Sequence, residues 1–190
     1  MKLLALRCPV CNQPLAPENE HIVFACSHCH AAVHIGDDGL TPMDLHYATP
    51  AAGATVTRWL PYWVFHGRVH ITQRDTQGRG SSEGASTQFW GGPRRLYVPA
   101  WELSLKVAQQ MGSAMIQRQP LPQPLPQPAG GRLLPVTLTA DDARKMLEFI
   151  VLAIEARRKD WLKRLEFHLE LEPPALWAFP SDDKGPVALG

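Results

Sequence analysis

Four cysteines form two Cys-x2-Cys pairs, Cys8 and Cys11 in CPVC and Cys26 and Cys29 in CSHC, with fourteen residues between the pairs. Two such pairs can bring four thiolates to the corners of a tetrahedron around one metal ion. Each pair closes a tight turn whose backbone N–H groups can point at the sulfurs and offset their charge. The residue after the second cysteine of such a turn often needs positive φ, which glycine adopts freely and which Asn and His tolerate better than most residues. Asn12 and His30 hold those two positions, and Pro9 pre-sets the bend of the first turn. Four thiolates leave no open position for a catalytic water, so the chemistry expected here is structural metal binding.

The spacing, together with the run HIVFACSHC in which a strand leads into the second pair, resembles zinc ribbons. The resemblance covers about Arg7 to Ile35. It implies one structural Zn2+ held by Cys8, Cys11, Cys26 and Cys29, with Ile22 and Phe24 packing beside the metal. Rubredoxins hold iron with the same four thiolates, and geometry alone does not separate the two metals. They generally carry glycine after each pair, from which Asn12 and His30 depart. The remaining alternative is four unligated or disulfide-bonded cysteines. His28, His30 and His34 are surplus to a complete thiolate set. They are expected on the ribbon surface, with a weak second metal site or a partner contact as the alternative.

A second constellation lies in WLPYWVFHGRVHIT. His66, Arg68 and His70 share one face of a period-two pattern, with Arg94 and Arg95 on the expected partner strand. These five residues fit either an anion-binding surface or a solvated sheet face, and the solvated face is preferred. Trp63, Tyr97 and Trp101, in LPYW and YVPAW, are expected to pack a core rather than to form an exposed aromatic surface. The combination of a ribbon with LPYW and YVPAW is similar to uncharacterised bacterial zinc-ribbon proteins, a likeness that implies no activity. A phosphate-binding glycine loop, HExxH and a nucleophile elbow are all missing from the sequence. His46, Asp75 and His168 are dispersed, so no catalytic role is expected.

The elements that must position these groups suggest an α+β protein. An N-terminal zinc ribbon would be followed by a small antiparallel sheet packed with one long and one shorter helix. The ribbon is placed at residues 1–36, too short to bury a self-sufficient core without a metal. A connector rich in glycine, proline and small residues follows at 37–56, then an α+β domain at 57–180, then a frayed tail at 181–190. Within that domain Trp63, Phe65, Val69 and Ile71 alternate as a strand, and FWGGPRRLYVPAW returns as its hairpin partner. A polar Gly/Ser-rich stretch near 73–88 reads as a mobile loop. A helix is expected over 101–115. The proline-rich run at 119–131 reads as an extended spacer, or as a ligand for a polyproline-binding groove. Thr139 reads as the N-cap of a long helix over 140–165, with a stripe of Ala143, Leu147, Ile150, Ile154, Trp161 and Leu165. FHLELE and ALWAF read as two further strands.

Composition narrows the function. The 190 residues are 45% hydrophobic and carry 19 Lys and Arg against 18 Asp and Glu, a net charge of +1 that argues against a protein built mainly to coat nucleic acid. The charge is uneven: residues 57–100 hold six arginines against Asp75 and Glu83, a local +4. No run is long and apolar enough for a membrane span, and paired cysteines suit a reducing compartment, so a cytoplasmic location is expected. The reading that results is a non-enzymatic zinc-binding interaction or scaffold protein with an unidentified protein partner. A nucleic-acid- or polymerase-associated ribbon is the alternative, and a rubredoxin-like electron carrier the third. The sequence leaves the oligomeric state open.

Overall fold

The computed structural model describes residues 6–16, 21–36, 39–77, 82–128 and 130–190. Three helices are present among them: α1 (Glu83–Trp90), α2 (Leu105–Arg118) and α3 (Ala140–Ala156). The strands are β1 (Val23–Ala25), β2 (Ala32–Gly36), β3 (Gly39–Met43), β4 (Leu45–Ala48), β5 (Arg58–Gln77), β6 (Arg94–Pro99), β7 (Pro124–Leu125), β8 (Arg132–Leu133), β9 (Trp161–Leu171), β10 (Ala175–Asp182) and β11 (Gly185–Pro186). The chain is an α+β protein with extensive antiparallel sheet. β1, β2 and β3 form one small antiparallel sheet, and the other eight strands form a second.

β5 is the spine of the larger sheet. Its first half, Arg58 to Val64, pairs antiparallel with β10, and Tyr62 to Gly67 pairs with β6 on the other edge. Beyond Gly67 its partner becomes β9, as far as the Gln77–Trp161 pair. β9 and β10 thus follow one another along the same edge of β5, interrupted where Pro173 and Pro174 withdraw N–H donors from the ladder. Gly67 stands at this handover, facing Arg94 of β6 and Leu171 of β9. A Cβ there would come within 2.1 Å of the Glu170 carbonyl oxygen, so only glycine fits. Two pairings are parallel: β4 with β10, and β8 with the start of β5.

α2 and α3 cover the apolar face of the sheet. α3 begins where Thr139 Oγ1 accepts the Asp142 N–H at 3.1 Å, and it buries Ala143, Leu147, Ile150 and Ile154. α2 approaches closely at Gly112, where a Cβ would meet Ile150 Cδ1 at 2.5 Å and the Tyr97 carbonyl oxygen at 2.9 Å. It stops at Gln119, which takes φ 48° and donates its N–H to the Met115 carbonyl. The core joins Trp63, Phe65, Leu96, Tyr97 and Val98 of the sheet to Ile116, Leu147 and Ile150 of the helices. Trp101 is half-buried, edge-on to Tyr62 at 5.3 Å.

Several segments are more ordered than their composition suggested. In the stretch read as a connector at 37–56, β3 completes the small sheet and β4 joins the large one, while 37–38 lie outside the described residues. The stretch read as a loop near 73–88 is strand as far as Gln77 and helix from Glu83; 78–81 lie outside the described residues. Its signal was hidden because an inward residue of the strand is Arg74, buried by ion pairing rather than by apolar packing. The long helix ends at Ala156 rather than near 165. Its apolar stripe stops at Ile154, and the four charged residues 157–160 turn the chain into β9. Trp161 and Leu165 therefore lie on a strand, with Trp161 74% exposed. The proline-rich segment lies against the sheet: Thr49 N–H bonds the Gln123 carbonyl, β7 pairs with β4, and Trp59 Nε1 donates to Gly130. The tail read as frayed pairs too, through β11 and a Leu189–Pro50 bridge.

Candidate metal centre

The two cysteine pairs sit on two turns built alike. In the first, Cys8 N–H bonds the Gln13 carbonyl at 2.9 Å and Asn12 N–H bonds the Cys8 carbonyl at 2.8 Å. In the second, Cys26 N–H bonds the Ala31 carbonyl and His30 N–H bonds the Cys26 carbonyl, both at 2.9 Å. Asn12 and His30 both take φ 60°, the conformation their positions demanded. The first turn is held by an Arg7–Pro14 bridge, and the second connects β1 to β2.

These turns bring the four sulfurs together. Cys8 Sγ lies 3.6 Å from Cys29 Sγ, Cys11 Sγ lies 3.7 Å from Cys26 Sγ, and all four fall within 4.8 Å of one another. A tetrahedral thiolate site with metal–sulfur bonds of about 2.3 Å requires sulfur–sulfur distances of about 3.8 Å. The cluster already has those dimensions, and its members are free cysteines rather than disulfides. Cys8 and Cys26 are buried with Phe24 and Val33, and Leu15, Ile35 and Leu40 pack around them. Among the described residues no other group of three or more His, Cys, Asp or Glu side chains is placed to hold a metal.

The electrostatics favour a cation. Burial opposes ionisation of Cys8, yet the N–H groups of Cys11 and Val10 and the neighbouring thiols outweigh it, drawing this thiol down to about 7. Cys11 accepts from the Gln13 N–H, but burial and the thiols of Cys29, Cys8 and Cys26 push it up to about 12. Cys8 gives up its proton readily and Cys11 resists, because like charges this close repel; a bound divalent cation removes that resistance.

Phe24 packs beside the sulfurs as the resemblance implied, but Ile22 does not. It packs against the main core, and its N–H bonds the Val136 carbonyl at 2.8 Å. Val23, fully buried in that same core, bridges to Val136. The metal lobe is thus joined to the α+β body by backbone and core alike. His28 and His30 are exposed, His34 is half-buried, and none belongs to the sulfur cluster.

The second constellation separates. His66 Nδ1 lies 3.3 Å from Glu172 and His70 Nε2 lies 3.0 Å from Glu170, so carboxylates face the two histidines. His70 also stacks on His168 at 4.5 Å. Arg94 turns away to lie 3.8 Å over the Phe89 ring, and Gln119 bonds both the N–H and the carbonyl of Arg95. His46 lies against Trp177, at 5.0 Å, while Asp75 and His168 sit on the β5–β9 arm.

A buried ion cluster that the sequence does not signal lies at the base of that arm. Arg74 donates from Nε to Glu155 and from Nη1 and Nη2 to Asp160; Glu155 also accepts from Trp90 Nε1 and Arg158 Nε. A lone arginine in a polar stretch gives no sequence signal for such a site. Among the described residues no helix is long and apolar enough to cross a membrane. Neither a family model, nor a curated protein, nor a solved structure matches the chain.

Proposed function

We propose that the protein is a non-enzymatic zinc-binding interaction or scaffold protein, in which one structural Zn2+ holds the N-terminal module rigid against the α+β body. The observation that carries this reading is the closed thiol cluster, whose spacing matches a tetrathiolate site. Four sulfurs saturate the metal and leave it no position for substrate or water, which supports a structural role over a catalytic one. Asn12 and His30 at the glycine positions of rubredoxins support zinc over iron. Two surfaces support an interaction role. Val10, at the tip of the first turn, is 59% exposed, and a cleft of about 440 Å³ runs between Cys26–His30 and Gly131–Pro135.

The placement of the arginines counts against the nucleic-acid alternative. Arg74 is buried on carboxylates, Arg58 lies 4.0 Å from Asp183, and Arg94 covers Phe89, so these three arginines do not share one open cationic face. Elemental analysis of the purified chain tests the metal: one zinc per chain in a colourless sample is expected, and visible absorbance with stoichiometric iron would replace zinc. Affinity purification from native extract tests the role. A stoichiometric protein partner, lost with a Cys26→Ala, Cys29→Ala variant, is expected. Retained partner binding removes the module from that role, and co-eluting nucleic acid released by salt restores the alternative.

A further inference from the structure

We propose that a groove between α2 and the β5–β10 face of the sheet is a binding site for a single-chain amphiphile ending in a carboxylate. None of the described residues of the metal lobe contributes to it, so the site stands apart from the metal centre and its role. The groove encloses about 440 Å³, within the roughly 300–1,000 Å³ of small-molecule sites. Leu60, Tyr62 and Phe179 form its floor, Met111 and Met115 of α2 one wall, and Leu189 part of the other. The lining is hydrocarbon and thioether almost throughout, and methionines re-pack around apolar chains of differing shape.

Charge selects the class of ligand. Among the described residues Arg118 is the single cation of the lining, and no Asp or Glu lines the groove. Arg118 makes no ion pair among the described residues, and it shares the lining of the groove with Tyr62. Tyr62 is 2% exposed and held edge-on by Trp101 and Phe179, at 5.3 and 5.4 Å. Its hydroxyl makes no hydrogen bond among the described residues, which leaves a donor at the floor of the groove. An aliphatic chain along Met111 and Met115 with its carboxylate at Arg118 satisfies both features. The arginine supplies a planar donor fork and the groove removes hydrocarbon from water.

Calorimetric titration of the full, metal-loaded chain with decanoate and with decanol, both below micelle-forming concentration, tests the site. Decanoate is expected to saturate at one per chain and to bind roughly tenfold or more tightly than decanol, the worth of a charge-assisted hydrogen bond. Arg118→Gln, at an exposed helix end, is expected to bring decanoate down to the decanol level while leaving decanol unchanged. Met111→Trp, which fills the groove, is expected to abolish both. Absence of saturable decanoate binding overturns the proposal. So do equal affinities for acid and alcohol in the unaltered protein, undiminished decanoate binding by Arg118→Gln, or undiminished binding by a folded Met111→Trp chain.

Discussion

Arg74 of β5 donates from Nε to Glu155 of α3 at 2.8 Å, in a pair where the two side chains are only 4% and 0% exposed. With Asp160 on the same guanidinium, one arginine ties the arm of the sheet to the end of the longest helix. Replacing Arg74 by Met leaves Asp160 buried without its cation and Glu155 with Arg158 alone. A loss of about 3–5 kcal/mol in urea unfolding is expected at neutral pH. A loss below 1 kcal/mol would mean that water reaches the cluster.

The same cluster sets an acid response. Arg74 beside Asp160 holds that carboxyl well below the usual carboxylate range. Burial alone would raise Glu155, but hydrogen bonds from Arg74, Trp90 and Arg158 more than offset it and lower it. With folded values below the unfolded ones of about 4, the stabilisation is present above pH about 4 and is lost as pH falls through the folded values. In Arg74→Met Asp160 loses the cation that holds its carboxyl down, while Glu155 keeps Arg158, so the loss of stability on acidification is expected to be smaller than in the unaltered protein. Urea midpoints measured from pH 7 to pH 2 check this; parallel profiles for the two proteins contradict it.

Metal removal has a defined footprint. Ile22 N–H bonds Val136 and Ile35 N–H bonds Ile22, both at 2.8 Å, and Val136 N–H bonds Val23 at 3.3 Å. Chelation is expected to remove hydrogen-exchange protection from Ile22 and Ile35 first. Val136 should follow, while Leu147 and Ile150 of α3 remain protected. Unchanged exchange at Ile35 after complete metal removal would show that the lobe folds without the ion.

The two turns differ in how comfortably they hold φ 60°. Asparagine tolerates that conformation better than most side chains. His30→Gly is therefore expected to strengthen metal retention by up to about 1 kcal/mol, and Asn12→Gly by less. Competition with a colorimetric chelator measures both, and equal or inverted effects refute the argument.

Gly67 offers a contrast with Gly92. A Cβ at Gly67 would collide with Glu170 backbone at 2.1 Å, whereas one at Gly92 meets nothing within 4 Å. Gly67→Ala is expected to cost about 3 kcal/mol or more and Gly92→Ala to stay within about 0.5 kcal/mol, by thermal or urea unfolding. A near-neutral Gly67→Ala would show that β9 can shift away.

The parts legible in the sequence were those with a repeating or paired chemical signal. Cys8, Cys11, Cys26 and Cys29 announced their cluster through spacing. Thr139 announced the start of α3, and alternation from Trp63 to Ile71 announced β5. The parts missed were held by interactions that carry no period. Gln73 to Gln77 reads as loop until Arg74 finds Glu155 and Asp160 far along the chain. Residues 157–160 read as part of the long helix, yet they turn the chain into β9 and Asp160 is buried. Pro124 and Leu125 read as spacer because proline composition does not reveal that Tyr47, beneath them on β4, offers an edge.

The order of pairing along β5 has a consequence for synthesis on the ribosome. β6 leaves the exit tunnel soon after β5 and can close one edge, but Arg58 must wait for Ser181 and Gly67 for Leu171. Until β9 and β10 have emerged, the spine presents one unpaired edge flanked by Trp59 and Trp63. Such an edge invites pairing with neighbouring nascent chains, and pairings so distant in sequence close slowly. The emergence of β9 and β10 thus ends this edge's exposure to aggregation.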